Sequence, residues 1–144
     1  MQALDTGLAE ILGAAPTAVD AMELRWAQHA RAASALGAAW KALGLRTVPL
    51  HPELCANTLS ALYYPEGVDV SLVGRIRERG VQVAGGLHPN LRERYFRVGH
   101  MGVVTGQVGD LALTVQAVAE GLVASGAKVD PQAARLALAL ALDE

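Results

Sequence analysis

Apolar residues recur at spacings of three and four through Val19, Met22, Trp26, Ala30, Ala33, Leu36, Trp40 and Leu43. That period predicts one long amphipathic helix over residues 17–43, with Glu23, Arg25, Gln28, Arg31, Ser34 and Lys41 on its other faces. Thr17 followed by Asp20 offers a capping-box-like start, and Gly44 stands where a left-handed residue ends such a helix. About 26 residues at ~1.5 Å each reach roughly 39 Å, more than a compact body of this size needs. Part of the helix is therefore expected to bridge to something outside the chain. Ahead of it, Leu4, Leu8, Ile11 and Leu12 share one side of a shorter helix.

After Gly44 the period changes. Residues 45–50 and 58–64 are short, rich in β-favouring side chains and punctuated by Pro49, Pro52 and Pro65, which predicts strands. Asp69 is placed to cap a helix that turns Leu72, Val73 and Ile76 inward and stops at Gly80. Strands are expected at 81–84 and 95–99, separated by Gly85-Gly86 and a loop containing Pro89. A helix at 110–124 presents Leu111, Val115, Val118 and Leu122 on one face, and Asp130-Pro131 opens a last helix with proline at its first position. The order predicts an α+β fold, with a small mixed or antiparallel sheet of about four strands, helices on one face and a long N-terminal helix. Residues 1–126 read as one domain that includes the bridging helix 17–43, and 127–144 as a C-terminal helical extension.

Composition narrows the function. With 144 residues, 52% hydrophobic and 18% charged, the chain has material for a real core and is not globally disordered. A net charge of -2 argues against a dedicated nucleic-acid binder. The longest apolar run near the end, Leu136 to Leu142, is far short of the ~20 residues of a bilayer span, and Asp5 and Glu10 interrupt the place of a leader's apolar core. These features point to a soluble intracellular chain, with cytosol, mitochondrion and peroxisome left open. The single cysteine, Cys55, closes no disulfide within the chain and reads as a buried inert thiol. His29, His51, His88 and His100 show no metal-ligand spacing, so no metal site is expected, and His100 reads as structural.

The side chain with most chemical promise is Arg97. In Tyr95–Gly99 the apolar Phe96 and Val98 alternate with Tyr95, Arg97 and Gly99, so the guanidinium stands on the face opposite the core. It is either an ordinary surface cation or a planar fork for a carboxylate. Gly85 and Gly86 mark a place where the backbone turns or lets something approach closely, without the spacing of a phosphate-cradling loop. Arg75, Arg77, Arg79, Arg92 and Arg94 are interrupted by Glu78 and Glu93 and read as a solvated face. Lys41 and Lys128 are the only lysines, and neither sits in a pattern suited to a covalently bound aldehyde cofactor.

Four segments carry a resemblance: Glu23-Leu24-Arg25-Trp26-Ala27-Gln28-His29, Thr58 to Gly67 with Tyr64-Pro65-Glu66-Gly67, Val81 to Leu87 with Ala84-Gly85-Gly86-Leu87, and Tyr95 to Gly102. Together they resemble the C-terminal small domain of the class V, fold-type I aminotransferases, in particular the alanine–glyoxylate and serine–pyruvate group, over about residues 4–122. The resemblance implies that Arg97 grips the substrate α-carboxylate and that Gly85 and Gly86 line the same cleft. It also implies that pyridoxal 5'-phosphate (PLP) serves the complete enzyme without a covalent bond to this chain. The PLP lysine and phosphate cradle would belong to a missing large domain, in a homodimer that exchanges an amino group between alanine or serine and a 2-oxo acid. The alternative is a stand-alone small-acid-binding regulatory or interaction module without catalysis.

Overall fold

The computed structural model describes residues 2–143. Its helices are α1 (Gln2–Leu12), α2 (Ala18–Ala42), α3 (Ser71–Arg77), α4 (Val108–Ala124) and α5 (Pro131–Asp143), and its strands β1 (Leu59–Tyr63), β2 (Ala84–Gly85) and β3 (Tyr95–Gly99). The sheet is antiparallel, in the order β1-β3-β2. Leu62 of β1 pairs with Phe96 of β3, and both are fully buried against the helical layer, as is Val98. Helices therefore cover one face of a small sheet.

The caps follow from local chemistry. Thr17 caps α2: its hydroxyl accepts from the Asp20 amide at 3.1 Å and donates to the Asp20 carboxylate at 2.7 Å. Gly44, at φ 70°, ends it in the left-handed region that glycine enters without a Cβ penalty. The second half of α2 buries Ala32, Ala35, Leu36, Ala39 and Trp40 together with α4 residues Leu111, Val115, Val118 and Leu122. α5 lies across α2 and α4 through Ala134, Leu138 and Leu142, and Arg31 of α2 donates to the Leu142 carbonyl.

Three expectations need correction. The sheet has three strands rather than about four: within 45–50 only Thr47 bridges to Leu62, with bonds from Val48 to Ala61 and from Tyr63 to Arg46 at 2.9 Å each. Pro49 has no amide to continue the ladder. The strand expected at 81–84 is confined to Ala84–Gly85, because Val83 instead turns into the core. The apolar stripe of α2 is buried only in its second half. Val19 and Trp26 are 66% and 63% exposed, and Leu4, Leu8 and Leu12 of α1 are exposed as well.

Candidate functional site

Arg97 occupies the middle of the central strand, paired in register with Ala61 on one side and Ala84 on the other. Two alanines as neighbours leave room above the sheet that larger side chains would fill. The guanidinium is half-buried, and its Nε donates to the Gly85 carbonyl at 2.8 Å. That bond fixes the side chain against the β2 edge. It leaves both terminal amino groups without a partner among the described residues, so an end-on fork of two N–H donors is free for a carboxylate.

The two glycines next to it do different things. Around Gly85 nothing lies within 4 Å of where a Cβ would stand, so its part is the carbonyl that orients Arg97. At Gly86 a Cβ would come within 2.5 Å of the Tyr95 ring and 2.7 Å of the Arg92 carbonyl oxygen. Tyr95 is only 6% exposed, and its hydroxyl oxygen accepts from the amides of Leu87 at 2.9 Å and His88 at 3.1 Å. Those His88 and Leu87 amides hold the phenol below its ordinary pKa, because they favour the phenolate. Gly86 is thus the place where the loop closes onto Tyr95, and this folds the wall beside Arg97.

The exit of β3 is tied to α2 twice. Trp40 donates from Nε1 to the Ser60 hydroxyl at 3.0 Å, and Ser60 in turn lies 3.0 Å from Nε2 of His100, which is 2% exposed. Burial pushes the His100 imidazole below its ordinary 6.5, outweighing the opposite pull of the Asn57 backbone, and its Nδ1 has no partner. Further along, the Gly102 amide donates to Nε2 of His29 at 3.2 Å, while Arg25 donates to the Gly102 carbonyl at 3.2 Å. Nδ1 of His29 lies 2.7 Å from the Arg25 carbonyl, so both ring nitrogens are satisfied only as the neutral Nδ1–H tautomer. Glu10 of α1 pairs with Arg25 at 3.3 Å. Periodicity places Arg25 and His29 on the helix without indicating their partner Gly102, which lies more than seventy residues away.

The remaining candidates lie apart from Arg97. Cys55 is exposed rather than buried, on the loop before β1. His88 accepts the Asn90 amide at 3.3 Å, a local loop bond. Lys41 is exposed on the last turn of α2, and Lys128 is exposed between α4 and α5. Among the described residues no cluster of His, Cys, Asp or Glu could hold a metal ion, and no helix is long and apolar enough to cross a membrane.

No family model matches the chain. It is 33% identical over 87 residues to an L-aspartate–glyoxylate aminotransferase of Paracoccus denitrificans, a match spanning 60% of this chain and 22% of that one. It is 30% identical over 110 residues to alanine–glyoxylate aminotransferase 1 of Saccharomyces cerevisiae, spanning 72% of this chain and 25% of the relative. Its fold is similar to that of pyridoxamine-pyruvate aminotransferase from Mesorhizobium loti, with a TM-score of 0.78 at 28% identity, over 84% of this chain and 31% of that one. The chain therefore spans about a quarter of the relatives it matches in sequence.

Proposed function

From the premise that this chain is homologous to glyoxylate aminotransferases and shares the fold of a class V, PLP-dependent group, we propose that it is the C-terminal domain of such an enzyme. The complete enzyme would exchange an amino group between alanine or serine and glyoxylate or pyruvate. The observation that carries the reading is Arg97, oriented by the Gly85 carbonyl and offering a free two-donor fork between small neighbours. Such a fork suits an α-carboxylate, and its work is positioning rather than proton transfer. Gly85 acts through its carbonyl, and Gly86 shapes the wall by admitting Tyr95.

The residues present do not suit the cofactor itself. Both lysines are exposed and lie off the sheet that carries Arg97. PLP would be held by a large domain outside this chain, where it would supply an electron sink for the pair left on the substrate Cα as the amino group is exchanged. The exposed apolar face of α1 and of the first half of α2, with Leu4, Leu8, Val19 and Trp26, suits docking against that domain or against a second subunit in a homodimer. The rival reading, a stand-alone acid-binding module, would rest on the same free Arg97 fork and has no separate feature in its favour.

The test is kinetic, in the full-length protein that carries this domain. Arg97→Ala should lower kcat/KM for alanine and glyoxylate by about 2–4 kcal/mol, roughly 30- to 900-fold, with KM raised. Wild-type kinetics in that variant would remove Arg97 from the site and with it the chemical basis of the assignment.

A further inference from the structure

An open cavity of about 540 Å³ lies where the last turn of α2, the segment 45–50 and the approach to β3 meet. Lys41, Arg46 and Arg94 line it together with Tyr63 and Thr47, and no carboxylate does. In a chain with 14 acidic residues against 12 lysines and arginines, three cations without an acid run against the overall balance. Among the described residues the two ion pairs, Arg25 with Glu10 and Arg79 with Glu120, involve none of the three.

One of the three cations is braced through its side chain, and the backbone that carries another is fixed. The Arg46 carbonyl accepts from the Tyr63 amide at 2.9 Å, and its guanidinium lies 5.4 Å over the Tyr63 ring, which braces it. Arg94 donates its amide to Leu91 at 2.8 Å and accepts from Tyr64 at 3.0 Å. Lys41 belongs to α2, where the helix dipole by itself accounts for a cation in the last turn. No helix end explains Arg46 or Arg94, which lie outside the helices. Like charges gathered around one hollow repel each other, and an anion between them reverses the sign of the interaction.

We propose that this cavity binds a compact oxyanion of charge near −2, a phosphate group or a short dicarboxylate. Its size suits a small molecule, and its lining lacks the row of aromatic platforms that a nucleic-acid strand would use. The proposal does not depend on the role of Arg97.

The experiment is an NMR titration of the 15N-labelled 144-residue chain with inorganic phosphate and, separately, with succinate, at ionic strength held constant by sodium chloride. Saturable shifts centred on the Lys41, Arg46 and Arg94 amides are expected, with Kd at or below ~10 mM. Saturation by phosphate alone identifies a phosphoryl ligand, and by succinate alone a dicarboxylate. Arg46→Gln and Arg94→Gln should each weaken binding by about 10-fold or more, whereas Arg94→Lys should keep most of it. Non-saturating shifts with both anions, or shifts spread equally over Arg75 and Arg77, overturn the proposal. So does saturable binding that is unchanged in both glutamine variants, and the wild-type titration decides the matter should a variant fail to fold.

Discussion

Gly86→Ala tests the packing of the loop beside Arg97. The new Cβ would stand 2.5 Å from Cε1 of Tyr95, 2.7 Å from the Arg92 carbonyl oxygen and 2.8 Å from the Arg92 Cα. Comfortable carbon contacts begin near ~3.5 Å, so about 1 Å of movement is needed. Arg92 presents backbone, and Tyr95 is buried with its hydroxyl committed to the Leu87 and His88 amides. Overpacking of this kind costs about 1–3 kcal/mol, and a retreating ring would release two hydrogen bonds worth about 1 kcal/mol each. The expected loss is therefore about 3–5 kcal/mol. At ~3 °C per kcal/mol for a chain of this length, Tm should fall by roughly 9–15 °C. Gly85→Ala is the matched control: it meets nothing within 4 Å, and alanine restricts the unfolded chain, so stability should stay level or rise by up to ~1 kcal/mol. Urea and thermal melts of the three chains side by side make the comparison. If Gly86→Ala unfolds within ~0.5 kcal/mol of the parent, or if both substitutions cost the same, Tyr95 does not close on Gly86 in the way described.

Two further outcomes concern the histidines. His29→Ala should speed exchange of the Gly102 amide by about 10-fold and cost about 1–2 kcal/mol, while His29→Gln, which keeps an acceptor near Nε2, should restore most of both. Long-range 15N spectra at neutral pH should show His29 as the Nδ1–H tautomer; a predominant Nε2–H form contradicts the clasp. For His100 the sign is set by burial: its folded pKa lies below 6.5, so the unfolded chain takes up a proton first as the solution becomes acidic. The stability contributed by neutral His100 is present above pH 6.5 and is lost as pH falls from there toward the folded pKa. His100→Asn should flatten that part of the stability–pH curve, and an unchanged slope would show that other groups set it.

Much of this architecture was legible in the chain because it is local. The period through Leu36, Trp40 and Leu43, Thr17 with Asp20, Gly44 and the alternation through Phe96 and Val98 each involve residues within a turn or two, or a strand, of one another. Of the candidate site, the sequence names Arg97 and Gly85, and the two meet at 2.8 Å. What escaped depends on distance. A hydrophobic period says which residues of 45–50 favour a strand, but the single bridge from Thr47 to Leu62 reflects how much of β1's edge remains to be paired. Gly86 stood out as a glycine, yet its reason is the Tyr95 ring nine residues on. Arg25 and His29 gave no local sign that they would clasp Gly102.

The uneven burial of α2 follows from the same distinction. Periodicity assigns the helix one apolar side from Val19 to Leu43, and the chain itself covers only the stretch beyond Ala32, apart from Ala21. The sheet, α4 and α5 complete that half and leave no shared apolar layer for Val19, Met22 and Trp26. α1 does not supply one, since none of its residues is buried. Burying such side chains is worth about 1.5–3 kcal/mol each, so this exposed stripe is the surface that the proposed docking would cover. Between the two halves sit Arg25 and His29, holding Gly102 just beyond the strand that carries Arg97. In the proposed enzyme, a body that docked through the first half of α2 would bear on the helix that fixes the exit of β3, and so on the strand that carries Arg97.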